Sequence, residues 1–516
     1  MGKYRGGIPA LAVAATILAT AACSGVGGTL RYGTIWEPFL LNPTVAPDVV
    51  TKMINELIFD GLVTVNDKME IVPELAESWT VAEDGLSYTF KLRSGVTFHD
   101  GTALTSEDVK FTFESIMNPD QPKTLAKSDY ELVSAIEAPD PHTVVFRLKG
   151  ANIALLSKLA VGIVPKRLLE GAVLAEAPFN KAPVGSGPFS FVSWEPGKEI
   201  KLAAYGKYWK GRPRLETVSW LIYSDSVSLT DDIISGEVDG GQLIDPKDQA
   251  RIDDIEGLAK YVVLDACTYI GFNSSMPPFD DERVRRALNY GVDKQAVISW
   301  ILGGRGKAAT SDILPTSWAY NPKVERFDYS PDRARALLAE AGWAQGEDGV
   351  LTKDGARLEF ELETNEEDKL RQEVVNFVRD QWARIGAMAI PKFTPYKAFL
   401  NEHVLKSAFQ AVLLSSSVNV DPDYLSRRWS TQAMKKGHNF LRWSSPELDA
   451  LLARGILAKV QAERKPIYDR AQEIVAEASP AINLYHREVV YAFKATLKGI
   501  KPGSSSFFWN AEEWGY

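Results

Sequence analysis

Cysteine is almost missing from this chain: two residues in 516, Cys23 and Cys267, too few for a disulfide framework or a cysteine-rich metal site. Histidine is nearly as scarce, and His99, His142, His403, His438 and His486 nowhere form His-Glu-x-x-His, which removes the zinc-protease pattern. Positive charge is in deficit, with 58 Lys plus Arg against 67 Asp plus Glu and a net charge of -9, so the field repels nucleic acid and anionic lipid. Beyond the N-terminus no run approaches eighteen uncharged apolar residues, the scale of a membrane-spanning helix.

Catalytic signatures are absent too. No Gly-x-Ser-x-Gly elbow occurs, and Gly185-Ser186-Gly187-Pro188 has the wrong spacing to force a serine out of a strained turn. Gly303-Gly304-Arg305-Gly306-Lys307-Ala308 lacks the Ser or Thr that would hold magnesium in a phosphate loop, and reads as a helix stop. The acidic pairs Asp231-Asp232 and Asp280-Asp281 read as helix caps rather than catalytic carboxylates. No enzyme and no cofactor are expected on these grounds, a secreted hydrolase being the rival reading from another class.

What is present describes an exported, multi-domain protein. The composition, 45% hydrophobic and 24% charged over 516 residues, suits two or three folded domains. Lys3 and Arg5, the apolar stretch 8–22 and the small residues Ala19, Thr20, Ala21 and Ala22 read as a signal peptide over residues 1–22. Thr20-Ala21-Ala22-Cys23 resembles the lipobox of bacterial lipoproteins, which makes Cys23 the expected lipid attachment. Thr20 stands where that pattern has Leu, and ordinary cleavage near Ala21 or Ala22 is the competing outcome. Removing residues 1–22 takes the net charge from -9 to -11. Cys267 then has no partner and reads as a buried, inert thiol, with Asp265 opposing thiolate formation.

Periodicity supplies the elements. Tyr88, Phe90 and Leu92 alternate with polar residues as a strand, as do Val144, Phe146 and Leu148. Asp84-Gly85 and Asp100-Gly101 mark turns, and Thr105 with Asp108 forms a variant capping box before a helix carrying Val109, Phe113 and Ile116. Ser330-Pro331 and Ser445-Pro446 start helices, Gly342 stops the first, and Val374, Phe377, Val378 and Ile385 form another helix ending at Gly386. Phe360 with Leu362, and Val412 to Leu414, read as strands. The alternation predicts an α/β lobe beside a smaller α+β unit.

Three blocks carry a more specific signal. Pro73-Glu74-Leu75-Ala76-Glu77-Ser78-Trp79, continuing through Tyr88 to Arg93, Phe98-His99-Asp100-Gly101 and Glu107-Asp108-Val109, resembles the signature region of family 5 extracellular solute-binding proteins, the peptide- and nickel-type receptors of ABC importers. Val184-Gly185-Ser186-Gly187-Pro188-Phe189 with Tyr208-Trp209-Lys210-Gly211, and Phe272-Asn273 with Pro278-Phe279-Asp280, Val284 to Leu288 and Val292-Asp293-Lys294, are similar to two further family blocks in the right order. Nearly all of these residues are turns, caps and strand positions, so they identify a scaffold rather than a pocket.

The resemblance implies a two-lobe periplasmic-binding-protein fold of type II, with an α+β insertion domain in the first lobe. It places discontinuous lobe I at 29–59, 186–267 and 485–516, the insertion at 60–185 and lobe II at 268–484. Crossing strands are expected near Tyr269-Ile270-Gly271-Phe272 and Ile482-Asn483-Leu484-Tyr485. It implies a monomer outside the membrane, anchored through lipid, that hands a solute to an ABC permease and its ATPase. In peptide-binding members an Asp just before an Asp-Pro turn pairs with the α-amine; aligned on Asp421-Pro422-Asp423, that position is Val418, which disfavours a conventional dipeptide.

The expected ligand residues are Trp36, Ser415, Ser416, Ser417, Asn419, Asp421, Trp429 and Asn439, with Trp443 and Trp509 among the other aromatics considered. Hydroxyls, amides and aromatic faces suit a polar organic solute: a peptide first, an oligosaccharide or opine-type conjugate second. Nickel or haem would require ligands such as His438 and His486.

Overall fold

The structure is a computed structural model that describes residues 27–45, 48–121, 127–417 and 419–516. The signal segment, Cys23 and Val418 lie outside the described residues. The main sheet has eleven strands and runs through both lobes. From one edge its order is Met388–Thr394, Glu359–Asn365, Ala411–Ser417, Leu258–Phe272, Ala481–Lys494, Gly240–Leu243, Thr29–Thr34, Thr217–Ile222, Glu199–Ala204 and Phe189–Glu195, with Gly306–Ala308 branching from Ala481–Lys494.

Two strands are long enough to belong to both halves, Leu258–Phe272 with 15 residues and Ala481–Lys494 with 14, and they pair antiparallel from Leu258↔Lys494 to Gly271↔Ala481. At about 3.3 Å per residue each spans roughly 45–50 Å. Tyr269 to Phe272 and Ile482 to Tyr485 lie on these strands, toward the core of lobe II. Ile270, Phe272, Ile482 and Leu484 are buried in its core. The register of this pair shifts twice, between Leu264 and Ala266 opposite Glu488 and Arg487 and between Thr268 and Tyr269 opposite Tyr485 and Asn483, and the Asp265–Arg487 ion pair lies beside the first.

Each half has its own core. Lobe I packs Tyr32, Trp220, Phe493, Phe508 and Trp514 around its strands. Lobe II buries Phe272, Phe279, Phe360 and Trp382 on one sheet face and Tyr269, Trp429, Leu441 and Tyr468 on the other. The caps read from sequence are in place: the hydroxyls of Ser330 and Ser445 accept the N–H groups of Arg333 and Leu448 at 3.4 and 3.1 Å.

The α+β unit is a four-stranded antiparallel sheet in the order Ala76–Val81, Ser87–Leu92, Thr143–Leu148, Val133–Asp140. The helix Ser106–Met117 covers it, its Phe113 ring 5.3 Å from that of Phe146. The Thr105 N–H donates to Asp108 Oδ2 at 2.9 Å, the reciprocal arm of the capping box.

The Gly-Ser-Gly segment joins this unit to lobe I, and neither of its glycines admits a side chain. A Cβ on Gly185 would sit 1.9 Å from the Ile58 carbonyl oxygen. The His99 ring clamps the segment as a neutral imidazole: Nδ1 accepts the Gly185 N–H at 3.2 Å and Nε2 donates to the Gly187 carbonyl at 3.0 Å. Ser186 Oγ, Tyr208 OH and Trp209 Nε1 converge on Asp60 at 3.2, 3.0 and 3.0 Å. Two segments of one recognised block thus meet at one buried carboxylate.

Gly185→Ala should cost about 2–3 kcal/mol through this overlap, read as a lower urea midpoint. Burial pushes His99 and His486 both down to about 4, against about 6.5 in an unfolded chain. At these two sites the unfolded state therefore binds more protons between these values, so their contribution to stability is constant above pH 6.5 and is lost as pH drops toward 4. Urea titrations at pH 7, 5.5 and 4.5 should show the midpoint of His99→Gln falling less than that of the wild type over this range.

Candidate ligand cleft between the lobes

In lobe II the parallel strands Glu359–Asn365 and Met388–Thr394 end beside Ala411–Ser417, while in lobe I the parallel strands Thr29–Thr34 and Thr217–Ile222 end on the other side of the crossing. Loops leave Thr217–Ile222, Gly240–Leu243 and Glu359–Asn365 and enter helices capped by Asp225, Asp245 and Asp368. In open α/β sheets a ligand crevice forms outside such strand ends.

Ser415, Ser416 and Ser417 pair in register with Thr268, Cys267 and Ala266 of the crossing strand. Ser415 Oγ lies 2.9 Å from Thr268 Oγ1, and Ser416 Oγ donates to the Cys267 carbonyl at 3.4 Å. Asn419 turns the chain back by donating to the Ser417 carbonyl at 3.0 Å. Trp36 belongs to the opposite lobe, in the loop after Thr29–Thr34, and is 44% exposed. These five residues are the part of the expected set that lies at the strand ends.

Three others have different surroundings. Both oxygens of Asp421 accept from the Arg464 guanidinium at 2.7 Å. Arg464 is 4% exposed and also donates to Gly455 O and Tyr468 OH at 3.1 Å each, so Asp421 pins its loop to the helix Gln461–Ala478. Trp429 is buried in lobe II, its ring centroid 6.0 Å from that of Trp443. It lines a cavity of about 20 Å³ with Asn289, Lys294, Thr310, Asp312 and Gln472. Asn439 is buried and donates to the Trp443 carbonyl at 2.6 Å. Trp509 bonds the Lys501 carbonyl near the C-terminus.

At the hinge, Arg487 Nε and Nη2 reach the two oxygens of Asp265 at 3.0 and 2.5 Å. Beside it, Asp368 caps the helix Lys369–Ala383 by accepting the Arg371 N–H at 3.0 Å and pairs with Arg371 Nε at 3.3 Å. Arg371 Nη1 also donates to Asn365 at 3.0 Å. Sequence periodicity missed these ionic contacts; the acid-to-arginine spacing in Asp368-x-x-Arg371 was the available signal.

Cys267 is buried and free. Burial pushes its thiol up, with Asp312 adding to the shift and Arg428 and Lys294 opposing it; the opposing acid is thus Asp312 rather than Asp265. Among the described residues no group of three His, Cys, Asp or Glu is placed to hold a metal, and both His486 ring nitrogens are buried without a hydrogen-bond partner.

Two lobes joined by two crossing strands, with polar strand ends facing the junction, define a receptor that encloses a solute. The chain belongs to the bacterial extracellular solute-binding proteins of family 5, the receptors of ABC importers, whose middle-region profile matches residues 70–436. It is 31% identical over 503 residues to the oligopeptide-binding protein AppA of Bacillus subtilis, covering 95% of this chain and 91% of that one. The AppA structure in complex with a nonapeptide superposes with a TM-score of 0.79 at 29% identity, covering 95% of this chain and 99% of the other. AgaA of Agrobacterium tumefaciens R10 in complex with agropinic acid gives 0.76 at 28% identity, with 95% and 98% covered.

Asp421→Ala should cost about 3–5 kcal/mol, because it leaves the buried Arg464 charge unpaired. Urea unfolding should show this loss with Asp421→Asn intermediate; an unchanged midpoint would remove the anchoring role.

Proposed function

We propose that this protein captures a peptide, or a related small organic solute, between its lobes and delivers it to a membrane permease driven by its ATPase. The observation that carries this reading is the junction itself: serine hydroxyls and an asparagine amide at lobe II strand ends, an aromatic side chain on the lobe I side, and, among the described residues, two long strands forming the sheet crossing. The proposed solute contacts are Trp36, Ser415, Ser416, Ser417 and Asn419. The proposed division is lobe I at 29–59, 186–267 and 485–516, the insertion at 60–185 and lobe II at 268–484. The mature protein is proposed to act as a monomer outside the membrane, held there by lipid on Cys23 after removal of residues 1–22. Family membership supports solute binding in place of catalysis, and the oligopeptide receptor AppA supports a peptide. An opine-type conjugate is the second reading, favoured by the likeness to AgaA with its agropinic acid.

Function then depends on closure, and the α+β unit already touches lobe II. Arg427 Nη1 lies 3.4 Å from Asp129, Lys436 Nζ lies 2.7 Å from Glu131, the Ile153 N–H reaches the Ile456 carbonyl at 3.4 Å, and Lys459 meets the Glu83 carbonyl. A solute that touches both lobes favours the form in which these contacts exist, to the extent that it binds that form better. The ion pairs are exposed, worth about 0.2–1 kcal/mol each and weakened by salt.

Reversing Arg427 and Lys436 to Glu should lower solute affinity about threefold to tenfold by calorimetry, and Asp129→Lys with Glu131→Lys should restore it. Native mass spectrometry against peptides, oligosaccharides and opines tests the function. Retention of an intact peptide is expected, whereas turnover without retention would sink the receptor reading.

A further inference from the structure

A buried ammonium needs a carboxylate or a full set of hydrogen bonds, and Lys294 has neither. It is 9% exposed and carries three donors, yet among the described residues its one hydrogen bond runs to the Ala309 carbonyl, at 3.3 Å. The acids around it are committed elsewhere or lie in solvent. Asp293 caps the next turn by accepting the Ala296 N–H at 2.9 Å, Asp312 Oδ2 lies 3.0 Å from Arg428 Nη1 in an ion pair, and Asp328 is exposed beside Arg326. Burial pulls the Lys294 ammonium down to about 8, with Cys267 and Asp328 opposing the shift and Arg326 adding to it. It therefore stays charged at neutral pH.

Lys294 lines a cavity of about 180 Å³ whose walls all come from residues 292–329. Thr310 lines it too, and its buried Oγ1 has no hydrogen-bond partner. Val292, Tyr320, Phe327 and Tyr329 add apolar faces beside these two polar groups. The wall that carries Ala309 and Thr310 continues from Gly306–Ala308, which pairs with Tyr485 to Arg487 of the long crossing strand, and the Ala309 N–H donates to the Leu484 carbonyl at 3.1 Å.

An ammonium and a hydroxyl with unused hydrogen-bonding capacity, set among aromatic and aliphatic walls, match a carboxylate carried on a small apolar body. Such a group would offset the desolvation that the unpaired ammonium bears. A cavity of about 150 Å³ accepts benzene, so the space suits a molecule of benzoate or propionate size. We propose that this cavity of lobe II is a second binding site, for a small organic carboxylate held by the Lys294 ammonium and the Thr310 hydroxyl. It is separate from the cleft between the lobes and does not depend on which solute the cleft takes.

Calorimetric titration of the purified mature protein at pH 7 with benzoate and propionate, set against benzamide and propionamide, tests this site. The carboxylates should bind at least about tenfold more tightly than their amides, Lys294→Met should remove the difference, and Thr310→Val should weaken carboxylate binding about threefold. Thr310→Val leaves no charge unpaired and carries the test alone if Lys294→Met does not fold. No binding of either carboxylate at about 10 mM would overturn the proposal. So would carboxylate binding that both variants leave unchanged, which would place the anion elsewhere on the chain.

Discussion

The continuity of two antiparallel strands through both lobes is the constraint on which the remaining structure depends. Leu258–Phe272 and Ala481–Lys494 hydrogen-bond to each other along nearly their whole length, so the lobes share one sheet and bend where that ladder is interrupted. The interruptions are local: register shifts between Leu264 and Ala266 and between Thr268 and Tyr269, with Asp265 and Arg487 paired beside the first. A bulge increases twist and leaves a residue outside the ladder, and the ion pair supplies polar partners there without a packed core. Separate apolar clusters pack each lobe on either side of this stretch.

From that constraint follows the placement of the polar residues. Strands paralleling the crossing end at its flank, so Asn365 and Ser417 are brought to the junction by register. The loop after Ser417 is held by the Asp421–Arg464 pair. Arg464 in turn belongs to a helix buried on the lobe II core through Tyr468 and Ala471. A charge that looks available in the sequence is thereby spent on fixing the loop that carries Asn419. The same economy appears at Asp60, where three donors from two distant segments close the joint between the α+β unit and lobe I.

Much of this was legible beforehand because it depends on local chemistry. Tyr88, Phe90 and Leu92 alternate on one sheet face and Thr105 and Asp108 cap a helix; cap and period rules reach both, whereas the close approach of Gly185 and Gly187 to Ile58 is tertiary. The crossing strands were legible from apolar segments such as Ile270 to Phe272, whereas the ion pair of Asp265 with Arg487 beside a register shift left no periodic signal. Trp429 and Asn439 could not be separated from cleft residues in advance, since a tryptophan and an asparagine look alike in sequence whether they face a solute or bond to Trp443. Arg464 lies 43 residues from Asp421, and a pairing of that kind is fixed by tertiary packing rather than by spacing.

The central claim is that solute closes two rigid lobes about this hinge. Spin labels on Glu77→Cys in the α+β unit and Arg454→Cys in lobe II report the separation directly, because Cys267 is buried and stays unlabelled. Double electron–electron resonance on that pair should give a broad distribution in the free protein and a single shorter distance once a peptide is retained. An unchanged distribution in the presence of a retained solute would contradict the account.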